Sequence, residues 1–115
     1  MDPEAEALTR RAAERVAAQL GADLPANVEA ALQGSAAGAP QRYEAATLIA
    51  LAALVLNIVK FAWDLRKDMR AAAAPPPSPE VIARRVRLEV ALPTGVSAAQ
   101  RDQIVTVVMD ELSRA

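Results

Sequence analysis

Histidine and cysteine are both absent from the 115 residues. Their absence removes thiol nucleophiles, imidazole-based triads, disulfides, and the common zinc and haem ligand sets. Carboxylates, guanidinium groups and hydroxyls remain. Asp110-Glu111 and Glu4 with Glu6 are the close carboxylate pairs. Acid–base work needs a pocket that drives two such pKa values apart. Nothing in the sequence suggests such a pocket, so both pairs read as solvated helix faces. The four serines, residues 35, 78, 97 and 113, lie in linker or terminal positions, and the four glycines form no phosphate-cradling loop. The expectation is a protein that is not an enzyme, with no catalytic residue, cofactor, metal or small-molecule substrate.

Arg84, Arg85 and Arg87 make the densest basic cluster. Nucleic acid is one partner for such a cluster and anionic lipid headgroups are another. A pI near 5.4 and only three aromatic residues speak against nucleic acid. Arg66, Lys67 and Arg70 add cations a little upstream, so these six residues are the candidate headgroup contacts.

The elements that would carry these groups follow from the apolar pattern. Hydrophobic residues are 53% of the chain, but 28 of them are alanine. Alanine favours helix and buries little area. Eleven of the 33 larger apolar side chains fall between Leu48 and Leu65. From Ala45 to Val59 there is no charge. Extended to Tyr43 and Trp63 the stretch is 21 residues, about 30 Å of helix, the depth of a bilayer's hydrocarbon layer. The sole Tyr and sole Trp mark its ends, where membrane interfaces collect such rings. Lys60, one turn inside, can snorkel outward. Tyr43, Lys60 and Trp63 are therefore the candidate interface anchors.

On a helical wheel Ala46, Ala50, Ala53, Asn57 and Asp64 fall on one narrow stripe, with Lys60 at its margin. Bulky side chains fill the rest. Lipid on the bulky faces and a second helix on the small seam would satisfy both surfaces, with Asn57 bonding across. The alternative is the central helix of a soluble bundle, its seam turned to water. That needs cover for about two thirds of the helix. Leu8, Val16 and Leu20, with about five large residues near the C-terminus, look too few for a monomer.

Five segments result. Residues 1–34 form an amphipathic helical arm, opened by Asp2-Pro3-Glu4 and broken at Gly21, with a helix to about Leu20 and another over about Pro25–Gln33. Residues 35–42 are a linker of small residues. Residues 43–70 are the hydrophobic helix. Residues 71–79 are an Ala/Pro linker, with three prolines favouring an extended spacer. In residues 80–115, Val86, Leu88, Val90 and Leu92 alternate as in a strand. A helix from Pro79, capped by Ser78, is the competing reading. Pro93-Thr94-Gly95 makes a turn, and Ser97 with Gln100 forms a capping box opening a helix to about Ser113. The predicted fold is mainly α, with a small C-terminal strand-turn-helix module. A lone strand would need a partner strand from elsewhere.

This order of elements, with its Phe61-Ala62-Trp63-Asp64-Leu65-Arg66-Lys67-Asp68 helix end and Pro-rich break, resembles that of small accessory proteins of bacterial effector systems. The resemblance implies an accessory role and assigns no residue a function. The Ala- and Arg-rich composition suits a GC-rich bacterial genome.

The functional expectation is a small single-pass membrane protein, in the bacterial inner membrane, that anchors and oligomerises or binds a partner. Residues 1–44 carry net charge −3 and residues 60–87 net +4. Basic residues near the span set topology, which places the C-terminal side in the cytoplasm. The alternatives are a soluble cytoplasmic adaptor whose apolar helix is buried by self-association or a partner, and a small membrane-permeabilising protein.

Overall fold

The computed structural model describes residues 2–34 and 43–114, apart from 74, 76 and 77; over 43–46 it describes the backbone alone. The proposed 35–42 linker and the Tyr43 and Ala46 side chains thus lie outside the described residues, as does most of the triproline. The described residues form five helices: α1 (Pro3–Leu20), α2 (Leu24–Leu32), α3 (Tyr43–Ala71), α4 (Pro79–Glu89) and α5 (Ala98–Arg114). Among the described residues there is no strand.

Local chemistry sets the helix ends. The Asp2 carboxylate accepts from the Glu4 N–H at 3.0 Å, and Pro3 occupies the first helical position. Gly21, at φ 140°, ends α1 by turning where a side chain would be strained. The capping box opens α5 as its spacing requires. The Gln100 N–H donates to Ser97 Oγ at 3.1 Å, and the Ser97 N–H donates to Gln100 Oε1 at 2.9 Å.

The C-terminal module corrects the sequence reading. Residues 85–89 belong to α4, and the backbone becomes extended only at Val90. Ser78 caps the helix by accepting from the Val81 N–H, and Pro79 stands in its first turn. The apparent alternation arises because Val86 and Val90 also stand at helical spacing from Ile82. Ile82 and Val86 are buried, whereas Leu88 is 78% exposed. A true strand would have put Val86 and Leu88 on the same face. With no second strand to pair, the capped helix satisfies the backbone and the strand does not.

The long helix α3 is the spine, and α1, α2, α4 and α5 all pack against it. Of its eleven large apolar residues from Leu48 to Leu65, five are buried (Leu51, Leu54, Val55, Ile58, Val59), six are half-buried and none is exposed. The cover comes from more places than a count of large residues in α1 and α5 suggests. Ala5, Ala12 and Ala13 of α1 are buried, and small residues let helix axes approach closely. Leu24 and Val28 of α2, and Ile82 and Val86 of α4, supply the missing bulk. Ile104, Val105, Val108, Met109 and Leu112 of α5 complete the core.

The first and last helices are also tied by charge. Arg11 Nε lies 3.0 Å from Glu111 Oε2, and Arg15 Nη1 lies 3.1 Å from Glu111 Oε1 and 2.6 Å from Asp110 Oδ2. Arg114 reaches the same Asp110 at 3.2 Å. Glu111 is buried between these arginines, so Asp110-Glu111 is an interhelical clamp and not the solvated face expected from the sequence.

Candidate functional site

One face of α3 is left bare. Ala53, Asn57, Lys60, Asp64, Lys67 and Ala71 are all exposed along it. This is the seam seen on the wheel, extended by Lys67 and Ala71. Ala50, also on the predicted seam, is half-buried. Asn57, Lys60, Asp64 and Lys67 make no side-chain hydrogen bond or ion pair among the described residues.

Shallow grooves flank the seam on both sides. One, about 350 Å³, runs between Asn57, Lys60, Phe61 and Asp64 of α3 and the segment Glu89–Ala91 that ends α4. The other, about 310 Å³, lies between α3 and the start of α1, where Asp2 and Ala5 face Leu56, Trp63 and Lys67. Asn57, Lys60 and Asp64 line both. Lys60 and Asp64 are one turn apart, so the seam presents both signs of charge.

Trp63 does not stand free at an end of the apolar segment. It is half-buried against the core, its Nε1 has no hydrogen-bond partner, and Arg66 lies over its ring at 5.8 Å from the centroid. A buried unpaired N–H costs about 1–3 kcal/mol, which the packing of the ring must offset. Lys60, the other described anchor candidate, is exposed.

The six candidate headgroup cations do not form one patch of free charge. Arg66 donates to the Leu112 carbonyl at 3.2 Å. Arg85 pairs with Glu89 at 2.8 Å and lies over Phe61 at 5.9 Å. Arg87 pairs with Asp102 at 3.2 Å. Arg84 is exposed with no ion-pair partner among the described residues, and Lys67 and Arg70 are exposed.

A second surface escaped the sequence reading. Val81, Arg84, Arg85 and Leu88 occupy roughly a 100° arc of α4, away from its buried Ile82 and Val86. Among the described residues, Val81 and Leu88 are two of the three exposed large apolar side chains, with Leu92. The signal was in the sequence, since 81 and 88 are seven apart, but it is visible only once 85–89 is taken as helix.

Titration follows the ion pairs. Burial pushes the Glu111 carboxyl up, but hydrogen bonds from Arg11 and Arg15 outweigh it and hold the group below its usual value. Asp102 behaves likewise between Arg87 and Arg101. The hydrogen bond from Arg10 lowers Glu29. These pairs stitch helices together and line neither groove. Among the described residues no cluster of three acidic side chains is placed to hold a metal ion.

No known protein family, curated protein or solved structure matches the chain.

Proposed function

We propose that this chain is a non-enzymatic helical adaptor: a small bundle that houses its own apolar helix and binds other polypeptides through its outer faces. The observation that supports this most directly is the burial on α3. Every one of its large apolar residues from Leu48 to Leu65 is at least half-covered by the same chain, and what faces outward is Ala53, Asn57, Lys60, Asp64 and Lys67. A lipid-facing helix would show the reverse pattern, since charged groups are costly at membrane depth. The outer face of α4 suits a protein partner. Val81 and Leu88 offer apolar contact, and Arg84 and Arg85 flank them, which fits an acidic amphipathic helix.

The second reading is the single-pass anchor. Its support is that Thr47–Ala71, 25 residues, is long and apolar enough to cross a bilayer. Residues 80–115 would then lie on the cytoplasmic side of a bacterial inner membrane, by the excess of basic residues after the apolar stretch.

Fractionation of the expressed full chain separates the two. The adaptor is expected in the high-speed supernatant without detergent. Recovery only from detergent-extracted membranes refutes it and leaves the anchor.

A further inference from the structure

We infer that the bare face of α3 is a self-complementary seam on which a second copy of the chain docks with its α3 antiparallel. This deepens the adaptor reading and rests on it. The exposed residues Ala53, Asn57, Lys60, Asp64, Lys67 and Ala71 are spaced 4, 3, 4, 3 and 4. That is the alternation of a and d positions in a heptad, the spacing that keeps one face of a helix turned toward a partner helix. The helices α1, α2, α4 and α5 pack against the other faces of α3. Among its described residues, the exposed ones outside this stripe are Asp68 and Arg70, near its C-terminal end.

Charge fixes the occupant and its direction. A closed pair of identical chains must be related by a two-fold axis, so the surface must complement itself. Place that axis across α3 at Ala62. Lys60 then meets Asp64 of the second copy, and Asp64 meets Lys60 of the second copy. Asn57 meets Lys67 of the second copy, whose ammonium can donate to the amide oxygen. Ala53 meets Ala71 of the second copy, where small side chains allow close approach. Each of these is an a-to-d pairing, as antiparallel helices require. A parallel pair in register would instead stack Lys60 on Lys60, Asp64 on Asp64 and Lys67 on Lys67. Shifting it to relieve the repulsion breaks the two-fold and leaves an open chain.

The outer face of α4 fails the same criterion. Antiparallel self-pairing there matches Val81 with Leu88 but sets Arg84 against Arg85 and Glu80 against Glu89. That face therefore stays available for a different partner while α3 joins two copies.

The seam from Ala53 to Ala71 is about 27 Å long and about 10 Å wide, near 300 Å² on each copy. This is well below the roughly 800 Å² per partner of a standard stable interface. The grooves beside the seam let flanking side chains add to it, but the dimer is weak and reversible, with Kd on the order of 10⁻⁴ M.

Sedimentation velocity of the full chain, from about 10 μM to about 1 mM in about 0.05 M salt, tests the inference. The expected result is a monomer–dimer equilibrium that weakens in about 0.5 M salt. Lys60→Asp or Asp64→Lys alone turns both symmetry-related pairs repulsive and is expected to raise Kd about 10- to 30-fold. The double exchange Lys60→Asp with Asp64→Lys restores opposite charges and should return Kd to within about threefold of the parent. Both side chains are exposed, so circular dichroism should not change. A parent that stays monomeric at 1 mM, single exchanges without effect, or a double exchange without rescue each overturns the inference while leaving the adaptor reading standing. Should the chain be recovered only in detergent, the adaptor reading fails. The same three variants are then compared in micelles, where loss and rescue uphold the antiparallel pair and their absence overturns it.

Discussion

Leu54→Ala probes what surrounds α3. Leu54 is completely buried and belongs to the core shared by all five helices. The substitution removes three carbons, worth about 2.4 kcal/mol of transfer free energy at ~0.8 kcal/mol each. The cavity left in a packed interior adds more, so the loss should be about 3–4 kcal/mol. A 115-residue domain has about 6–17 kcal/mol in total, so the variant should still fold with a large fraction of its stability gone. Urea titration followed by far-UV dichroism and by fluorescence of Trp63, the sole tryptophan, reads the change. With m near ~1.5 kcal/mol/M the midpoint should fall by about 2 M. Asn57→Ala, three residues further on but exposed, is the control and should cost under about 0.5 kcal/mol. A Leu54→Ala loss below about 1 kcal/mol, indistinguishable from the control at unchanged m, would refute the claim that protein atoms enclose this helix.

Two further outcomes test the supports of the bundle. The carboxyls of Glu111, Glu29 and Asp102 are all held below their usual values. Their pairs therefore stabilise the fold above pH ~4.5, where the unfolded carboxyls are ionised too, and that contribution is lost as pH falls through the lowered folded values. Urea stability should be flat from about pH 5 to 8 and decline below about pH 4, and Glu111→Gln should shrink the decline; an identical acid slope in the variant would remove the clamp from the account. At Gly21, φ is 140° and an added Cβ would meet Leu48 Cδ2 at 2.9 Å, so Gly21→Ala should cost about 1–3 kcal/mol by thermal melting. An unchanged or raised Tm would contradict the close approach of this turn to α3.

Much of the helix plan was legible because helix ends are written in local chemistry. Asp2-Pro3 and Ser97 with Gln100 satisfy orphan backbone groups within three residues of themselves, so no distant contact is needed to place α1 and α5. The small and polar stripe on α3 could be drawn beforehand because the wheel needs only the 3.6-residue period; of its described members Ala53, Asn57 and Asp64 are exposed and Ala50 is half-buried. The error at residues 85–92 arose because four apolar residues at even spacing satisfy a strand period, and two of them a helical one. Only the presence or absence of a pairing strand decides between them, and that is not a local property.

The sequence by itself determined that α3 is apolar over most of its circumference with one small and polar stripe. It could not determine what lies against the apolar part, because a Leu side chain is equally satisfied by lipid tails and by other side chains. The tertiary structure shows which side chains of the same chain lie there. Alanines of α1 come close enough to cover what their size alone could not, α2 and α4 add Leu24, Val28, Ile82 and Val86, and the stripe is left facing outward. Cover depends on the distance between helices as well as on the bulk each one carries, and distance is set only when the whole chain packs.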